Sequence, residues 1–394
     1  MLSLQAVTPE ILAEAVPGIS LTDARKIVGA VHRHDHLPHT VRGVRRSSLE
    51  SVRAAGTIPA LTVRATCRSR LDPFIKYALE LNDGQIIETV RIPLEYEGRF
   101  SVCVSSQAGC GLSCAFCATG RIGLLRNLQA WEIIEQIRVV RRGLEDLKRQ
   151  RVHGIVFQGM GEPLANLDNV LQAIRVACEP SGLAVDGRTV TVCTAGLPAG
   201  IRRLARSAPK IRLAISIGSA RRAVRASLMP IDRAYPLEEV LDAGVEHACL
   251  TGIAPMWSFT LLEGVNDTEE DAMELARLAL EFTRRTGLRP RISIVPFNSI
   301  DPMGPPTFRR TEASVESAFR DRLKEAGFHS HKRYSGGSDV AAACGQLTGT
   351  WTVSNDNPQE PNAPQQQKQI ASTFDTHARF SPAPPDRPTA PDHS

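Results

Sequence analysis

Cys110-Gly-Leu-Ser-Cys114-Ala-Phe-Cys117 is a C-x3-C-x2-C triplet, placed shortly after the apolar run Phe100-Ser-Val-Cys103-Val. Three thiolates at this spacing can hold three irons of a cubic iron–sulfur cluster, and a full protein ligand set would need a fourth cysteine. The missing ligand leaves one iron open to a small molecule. S-adenosylmethionine (SAM) can chelate such an iron through its amino and carboxylate groups and be cleaved there to a radical. Structural zinc is the competing reading. It usually takes four ligands in two pairs, and the chain has no second C-x2-C pair.

From about residue 100 the pattern alternates strands and helices. Strands are predicted over 100–105, 154–158, 189–193, 212–216, 256–261 and 291–295. Helices are predicted over 130–144, 167–178, 200–206, 237–247 and 269–286. Such alternation implies right-handed βαβ units and a parallel sheet. Six units are too few for a closed eight-fold barrel. The predicted fold class is therefore α/β: an open, partial (β/α)6 barrel, with its active site at the C-terminal ends of the strands. The cysteine triplet falls in the loop after the first strand, which is such a position.

Residues 1–95 read as an accessory segment. Short helices are predicted over 11–15 and 21–32, the second with Ser20 as N-cap and Asp23 in its first turn. A strand pair over 77–81 and 86–92 is joined by Asn82-Asp83-Gly84, a strong hairpin signal. The barrel with a C-terminal cysteine segment is predicted to fill 96–350. Residues 351–394 are rich in Pro, Gln, Asn and Ser and poor in large apolar side chains, so a disordered tail is expected.

Composition sets further bounds. A 42% hydrophobic content over 394 residues is ample for a large core. Nine cysteines argue for metal or redox chemistry more than a disulfide scaffold. No apolar stretch reaches the length of a membrane span, and the start Met-Leu-Ser-Leu-Gln lacks the basic region of a signal peptide, so a cytoplasmic protein is expected, with monomer as the default oligomeric state. The net charge is +5; the last 41 residues carry −2, and the rest holds 44 Lys/Arg against 37 Asp/Glu. Basic clusters at 42–46, 138–151 and 221–225 suit a phosphate-rich partner, or are solvated helix faces.

A second motif, Gly159-Met160-Gly161-Glu162-Pro163, follows the second predicted strand. Its glycines would let a ligand approach the backbone closely, and Glu162 could accept from the SAM amino group. With this motif in place, the chain resembles the RlmN/Cfr family of radical-SAM enzymes, which methylate adenine in RNA. The matching residues are Glu88-Thr-Val-Arg-Ile-Pro, Cys103-Val-Ser-Ser-Gln-Ala-Gly-Cys110, Cys114-Ala-Phe-Cys117-Ala-Thr-Gly and Gly159-Met-Gly-Glu-Pro-Leu-Ala-Asn166. Leu228-Met-Pro-Ile, Leu261-Leu-Glu-Gly-Val-Asn-Asp267, Pro296-Phe-Asn298 and Ala343-Cys344-Gly-Gln-Leu347 continue the series, which covers about 75–350. The last motif is far more specific than the triplet.

The resemblance implies a [4Fe-4S] cluster on Cys110, Cys114 and Cys117, and a two-stage use of SAM. C2 and C8 of adenine are electrophilic, so a methyl cation cannot simply be delivered there. One SAM methylates Cys344; a second, cleaved at the cluster, yields a 5′-deoxyadenosyl radical that takes hydrogen from that methyl group. The methylene radical adds to the base. Glu88 removes the ring proton, and Cys103 attacks the Cys344 sulfur, forming a transient disulfide as product leaves. Carried over by position, the SAM pocket includes Gly161, Glu162, Cys193, Ser216 and Asn298. Two departures stand out: the family usually has Ser at Cys193, and Ser-Leu-His-Ala where this chain reads Ser216-Ile-Gly-Ser-Ala220. Cys67, Cys178 and Cys249 match no motif.

The expected activity is thus methylation of adenine C2 in 23S rRNA, with tRNA as a further substrate and flavodoxin or ferredoxin as electron donor. The alternatives are C8 methylation, radical-SAM modification of a peptide or small molecule, and a non-catalytic iron–sulfur RNA-binding protein. The N-terminal helices would help dock RNA by analogy with the family.

Overall fold

The computed structural model describes residues 1–300 and 307–349. The tail expected over 351–394 lies outside the described residues.

Strand β1 (Leu2–Ser3) pairs in parallel with β2 (Gly56–Thr57), and helices α1 (Pro9–Ala15), α2 (Leu21–His34) and α3 (Arg46–Ala55) lie between them in sequence. Ser20 caps α2, its hydroxyl accepting from the Asp23 N–H at 3.1 Å. Leu12, Ile27, Val31, Leu49 and Val52 meet in a small core of their own.

Three antiparallel strands follow: β3 (Thr62–Arg68), β4 (Ile75–Glu80) and β5 (Ile86–Pro93). The predicted hairpin is β4–β5, with Gly84 at φ 81 in its turn. It does not stand apart. β5 pairs antiparallel with β6 (Arg99–Cys103), so the hairpin and β3 extend the barrel sheet. After β6 come a short hairpin, β7 (Gln107–Cys110) and β8 (Gly123–Asn127), and α4 (Ala118–Ile122) between its strands.

The alternation then runs as expected: α5 (Ala130–Arg142), β9 (Arg151–Phe157), α6 (Leu167–Ala177), β10 (Val190–Thr194), α7 (Pro198–Ser207) and β11 (Arg212–Ser216). Helices α8 (Arg222–Leu228) and α9 (Leu237–Thr251) lead to β12 (Met256–Leu261), α10 (Glu269–Thr286), β13 (Arg291–Pro296), α11 (Ala313–Glu325) and β14 (Ser330–Lys332). The ten-stranded sheet has the order β14-β13-β12-β11-β10-β9-β6-β5-β4-β3, with β6 and β9–β14 all parallel. This is the expected open, partial barrel, with β14 as a short seventh parallel strand that the sequence pattern did not announce.

Each barrel strand sends large apolar side chains to the helices and small or polar ones inward. On β12, Trp257 packs edge-on to Phe282 of α10 at 5.5 Å and Phe259 meets Phe319 of α11 at 5.5 Å. Burying each such ring stabilises the fold by about 2–3 kcal/mol. The alternate residues Cys193, Ala214, Ser216, Ser258 and Ser293 share the other face. Among the described residues, the buried hydroxyls of Ser258 and Ser293 have no hydrogen-bond partner. The interior is thus partly polar, as a ligand-holding barrel requires. No helix among the described residues is long and apolar enough to cross a membrane.

Candidate active site

The nine cysteines sort into two trios and three others. The last three are Cys67 on β3, Cys178 at the end of α6 and exposed Cys249 on α9.

The first trio is Cys110, Cys114 and Cys117. Cys110 ends β7, and the loop to α4 carries the other two. The β7–β8 hairpin closes through Gly109 at φ 72, where any Cβ would collide with the Gly123 carbonyl oxygen. Ser113, also left-handed at φ 52, turns the chain back toward Cys114. Leu228 anchors the loop by accepting from the Ala115 N–H at 2.9 Å. Burial pushes the Cys110 thiol up to about 11 and Cys114 higher still, with Cys117 and Glu162 adding like charge to both. Cationic iron would reverse that cost. Three thiols from the end of β7 and the loop after it are the donor set that a cluster with one iron left open would take.

Gly159-Met160-Gly161 follows β9, but its glycines serve the protein's own backbone. A Cβ at Gly159 would meet the Val104 carbonyl and one at Gly161 would meet Gln107. That close approach lets Met160 O accept from Ser106 N at 2.8 Å and Gln107 Oε1 accept from Glu162 N at 2.8 Å. Glu162 is buried, and its carboxylate accepts from Leu164 N (3.0 Å) and Ala195 N (2.9 Å). Burial raises it to about 7 against those hydrogen bonds and one from Thr194. Its charge acts on Cys110 and Cys114 of this trio and also on Cys193.

The second trio is Cys103, Cys193 and Cys344. Cys103 ends β6, Cys193 lies on β10, and the two pack in one inner-face cluster with Val156 and Ala214. Cys344 comes from the segment after β14. Its N–H donates to Ser335 Oγ at 3.2 Å and its carbonyl accepts from Asn298 Nδ2 at 3.2 Å. Asn298, expected in the SAM pocket, also donates to Ser335 Oγ at 2.9 Å. The same segment sits on the first trio's loop: Gly345 O accepts from Ala118 N (2.8 Å) and Leu347 O from the Thr119 hydroxyl (2.6 Å).

Glu88, on β5, holds the end of that segment. Its carboxylate accepts from Thr348 N (2.7 Å) and Gly349 N (3.1 Å) and pairs with Lys76 Nζ at 2.7 Å. Ser216 is the last residue of β11. The Gly218 departure is explained locally: at φ 71 it presses on Met229, where a Cβ has no room. Most of the predicted residues therefore lie at or beyond the C-terminal ends of β6, β9, β10, β11 and β13, while Glu88 stands on β5 and Cys344 comes from the segment after β14.

The radical SAM superfamily model matches residues 104–279. A probable RNA methyltransferase of Sorangium cellulosum is 55% identical over 355 residues, which is 86% of this chain and 90% of that protein. The dual-specificity RNA methyltransferase RlmN of Syntrophobacter fumaroxidans is 43% identical over 272 residues, 69% of this chain and 75% of its own length. This chain belongs to the RlmN family of radical-SAM RNA methyltransferases. The crystal structure of a radical SAM methyltransferase from Sphaerobacter thermophilus, 32% identical, matches with a TM-score of 0.78 over 89% of this enzyme and 100% of that chain.

Cys103 and Cys344 are both thiols here, so the transient disulfide expected at product release is not present in this state. Two of the three basic clusters are also largely consumed by the fold. Arg225 is buried, paired with Asp232, and donates to Ile217 O (2.9 Å) and Ala195 O (2.8 Å); Arg221 pairs with Asp271. Arg138 is buried between Asp35 and Glu135. Sequence reasoning passed over Arg333, Ser335 and Lys76, which belong to no motif. Arg333 reads as half of a surface Lys-Arg pair, yet its guanidinium faces Cys344, Cys193 and Cys103. Its Nη1 is sealed from solvent with no hydrogen-bond partner among the described residues. The alternation of β14 could have pointed to it, since Arg333 N continues the β13–β14 ladder to Ile294 O at 2.8 Å.

Proposed function

We propose that the enzyme methylates C2 of an adenine in 23S rRNA, with tRNA as a second substrate class, through a methyl group carried on Cys344. The supporting observation is the docking of the Cys344 segment on the first trio's loop, through Ala118–Gly345 and Thr119–Leu347. A cysteine with no duty would not need its N–H and carbonyl both held by side chains at the mouth of the barrel.

A [4Fe-4S] cluster on Cys110, Cys114 and Cys117 would supply the electron that cleaves SAM to a 5′-deoxyadenosyl radical. Gly161, Glu162, Cys193, Ser216 and Asn298 wall the SAM site, whose orphaned neighbours Ser258 and Ser293 offer unused hydroxyls. Asn298 and Ser335 fix the Cys344 backbone. Glu88 removes the ring proton of the base; to do so it releases the N–H groups of Thr348 and Gly349, and Lys76 then balances its charge. Cys103 frees the product by attacking the Cys344 sulfur. Burial pushes its thiol up to about 12, and Arg333 opposes that shift. Flavodoxin or ferredoxin is the electron donor, and the enzyme works as a cytoplasmic monomer.

The test uses anaerobically reconstituted enzyme, SAM, a reductant and protein-free 23S rRNA or tRNA, with digested nucleosides read by mass spectrometry. A 2-methyladenosine peak that vanishes in Cys344→Ala establishes the reading. An 8-methyladenosine peak moves the target to C8. Cleavage of SAM with neither product refutes the RNA substrate.

A further inference from the structure

Tyr334 lies just beyond the C-terminal end of β14, at the same end of the sheet as most of the predicted site residues. It is 69% exposed, yet it is fixed at both edge and flank. Its hydroxyl donates to Asp72 Oδ2 at 3.1 Å, and its ring leans on buried Phe74 with centroids 5.8 Å apart and planes tilted by 59°. Asp72 and Phe74 belong to the loop between β3 and β4. The same Asp72 oxygen accepts from Gly337 N at 2.8 Å, and a Cβ at Gly336 would strike both Asp72 and Phe74. Strands β14 and β3 are the two edges of the ten-stranded sheet, so these contacts form a seam between the end of the barrel and its beginning.

The chain also sets the distance from Tyr334 to Cys344. Tyr334 adjoins Ser335, whose hydroxyl accepts from the Cys344 N–H at 3.2 Å. With consecutive Cα atoms about 3.8 Å apart, the Tyr334 backbone is within about 10 Å of that N–H. Exposed Arg70 lies on the same loop as Asp72 and has no ion pair among the described residues. Its N–H donates to Asp339 Oδ2 at 2.8 Å, which ties the loop to the segment after β14 a second time. A lone exposed ring carries no meaning. A ring held rigid beside the methyl-carrying cysteine, with a free cation on the loop that holds it, has what single-stranded RNA binds: a π-face for a base and a charge for a phosphate.

We propose that Tyr334 is a stacking platform for the nucleobase that flanks the target adenine, with Arg70 taking a phosphate of the same strand. This rests on the reading above, in which the substrate is RNA. An adenine drawn out of its stack to reach Cys344 leaves its neighbour with one bare face, and the fixed ring covers it. Stacking accepts any base, so Tyr334 contributes affinity and register rather than sequence choice.

The test compares Tyr334→Phe with Tyr334→Leu in reconstituted full-length enzyme. The affinity of each is read by fluorescence anisotropy with a short labelled single-stranded RNA holding a central adenine. Both variants lose the hydroxyl and its tie to Asp72, and both keep an apolar contact with Phe74; leucine alone lacks the ring. Tyr334→Leu is expected to bind about 10-fold more weakly than wild type, and Tyr334→Phe within about twofold of it. Equal affinity in all three forms overturns the platform and leaves the RNA reading standing. Equal loss in both variants assigns the effect to the Asp72 anchor and overturns it as well. RNA-free methylation of Cys344 by SAM, followed by intact mass, is the control; a fall in Tyr334→Leu alone means a displaced segment and also overturns the platform. If wild type neither binds the labelled RNA nor methylates 23S rRNA, the RNA reading fails and the platform with it.

Discussion

Gly109 shows how much of the site depends on single residues. Its positive φ and the Gly123 carbonyl at its open side leave no place for a Cβ. Gly109→Ala should cost on the order of 3 kcal/mol locally and open the β7–β8 hairpin that carries Cys110. Iron content after reconstitution should then drop well below one cluster per chain; full loading in the variant would refute this account. Residues of this kind were legible in part. The triplet stood out because a cluster needs thiolates at close spacing, and Cys344 stood out only through the family resemblance. The Gly159 and Gly161 positions were legible as glycines but not in purpose, because only the fold shows that Val104 and Gln107 press on them. Arg333 was not legible at all. A basic residue beside Lys332 looks like surface until the strand register turns it inward, next to Cys103, Cys193 and Cys344.

Among elements, the strand Met256–Leu261 and the helix Glu269–Thr286 were legible to the residue from their apolar pattern, and the fold adds a capping box at Thr268 and Asp271. The short strands β7, β8 and β14 and helix α4 were not, since tertiary contacts such as Ala115–Leu228 hold them rather than any local pattern. The segment after β14 is the functional example. Asn298 and Ser335 clamp Cys344 there, so Asn298→Ala with Ser335→Ala should lower kcat by about 10- to 100-fold while iron content stays at the wild-type level. Unchanged turnover would show that the clamp is irrelevant to positioning. A second element carries a pH effect. On α2, His32 is buried with both ring nitrogens unpartnered, and its value falls from 6.5 to about 4 through burial, then through Arg138 and Arg141, against Asp35. The folded state thus binds the proton less well than the unfolded chain. Stability is full above pH 6.5 and is lost as pH falls toward 4, by on the order of 3 kcal/mol. In His32→Leu the urea midpoint should change far less between pH 7 and pH 4 than it does in wild type; parallel pH profiles would remove His32 as the cause.

At the scale of the whole molecule, the question is where a net charge of +5 can meet RNA. Charge counts alone gave three basic clusters, and the fold removes most of two of them. Arg138, Arg221 and Arg225 already hold carboxylates, so a phosphate would have to displace a buried or half-buried partner. The cluster at 42–46 differs. Arg42 and Arg45 are exposed and have no ion pair among the described residues, while Arg46 pairs only with Glu50 across one turn of α3 at 3.0 Å. Surface pairs of that kind are weak and give way readily. The phosphate-facing charge is therefore expected on Arg42 and Arg45, in the connection between α2 and α3, beside the N-terminal helices that the family resemblance expects to dock RNA. Each contact to a single-stranded phosphate adds about 0.7 to the slope of log affinity against log salt concentration. Arg42→Ala with Arg45→Ala should therefore flatten that slope by about 1.4 for protein-free 23S rRNA, and weaken binding about equally for every RNA tried. Diamide crosslinking of Cys103 and Cys344 should be untouched in the same variant, because the thiols lie in the barrel. A slope identical to wild type would take the N-terminal helices out of the RNA interface and send the search to the exposed Lys148 and Arg149 that remain of the second cluster.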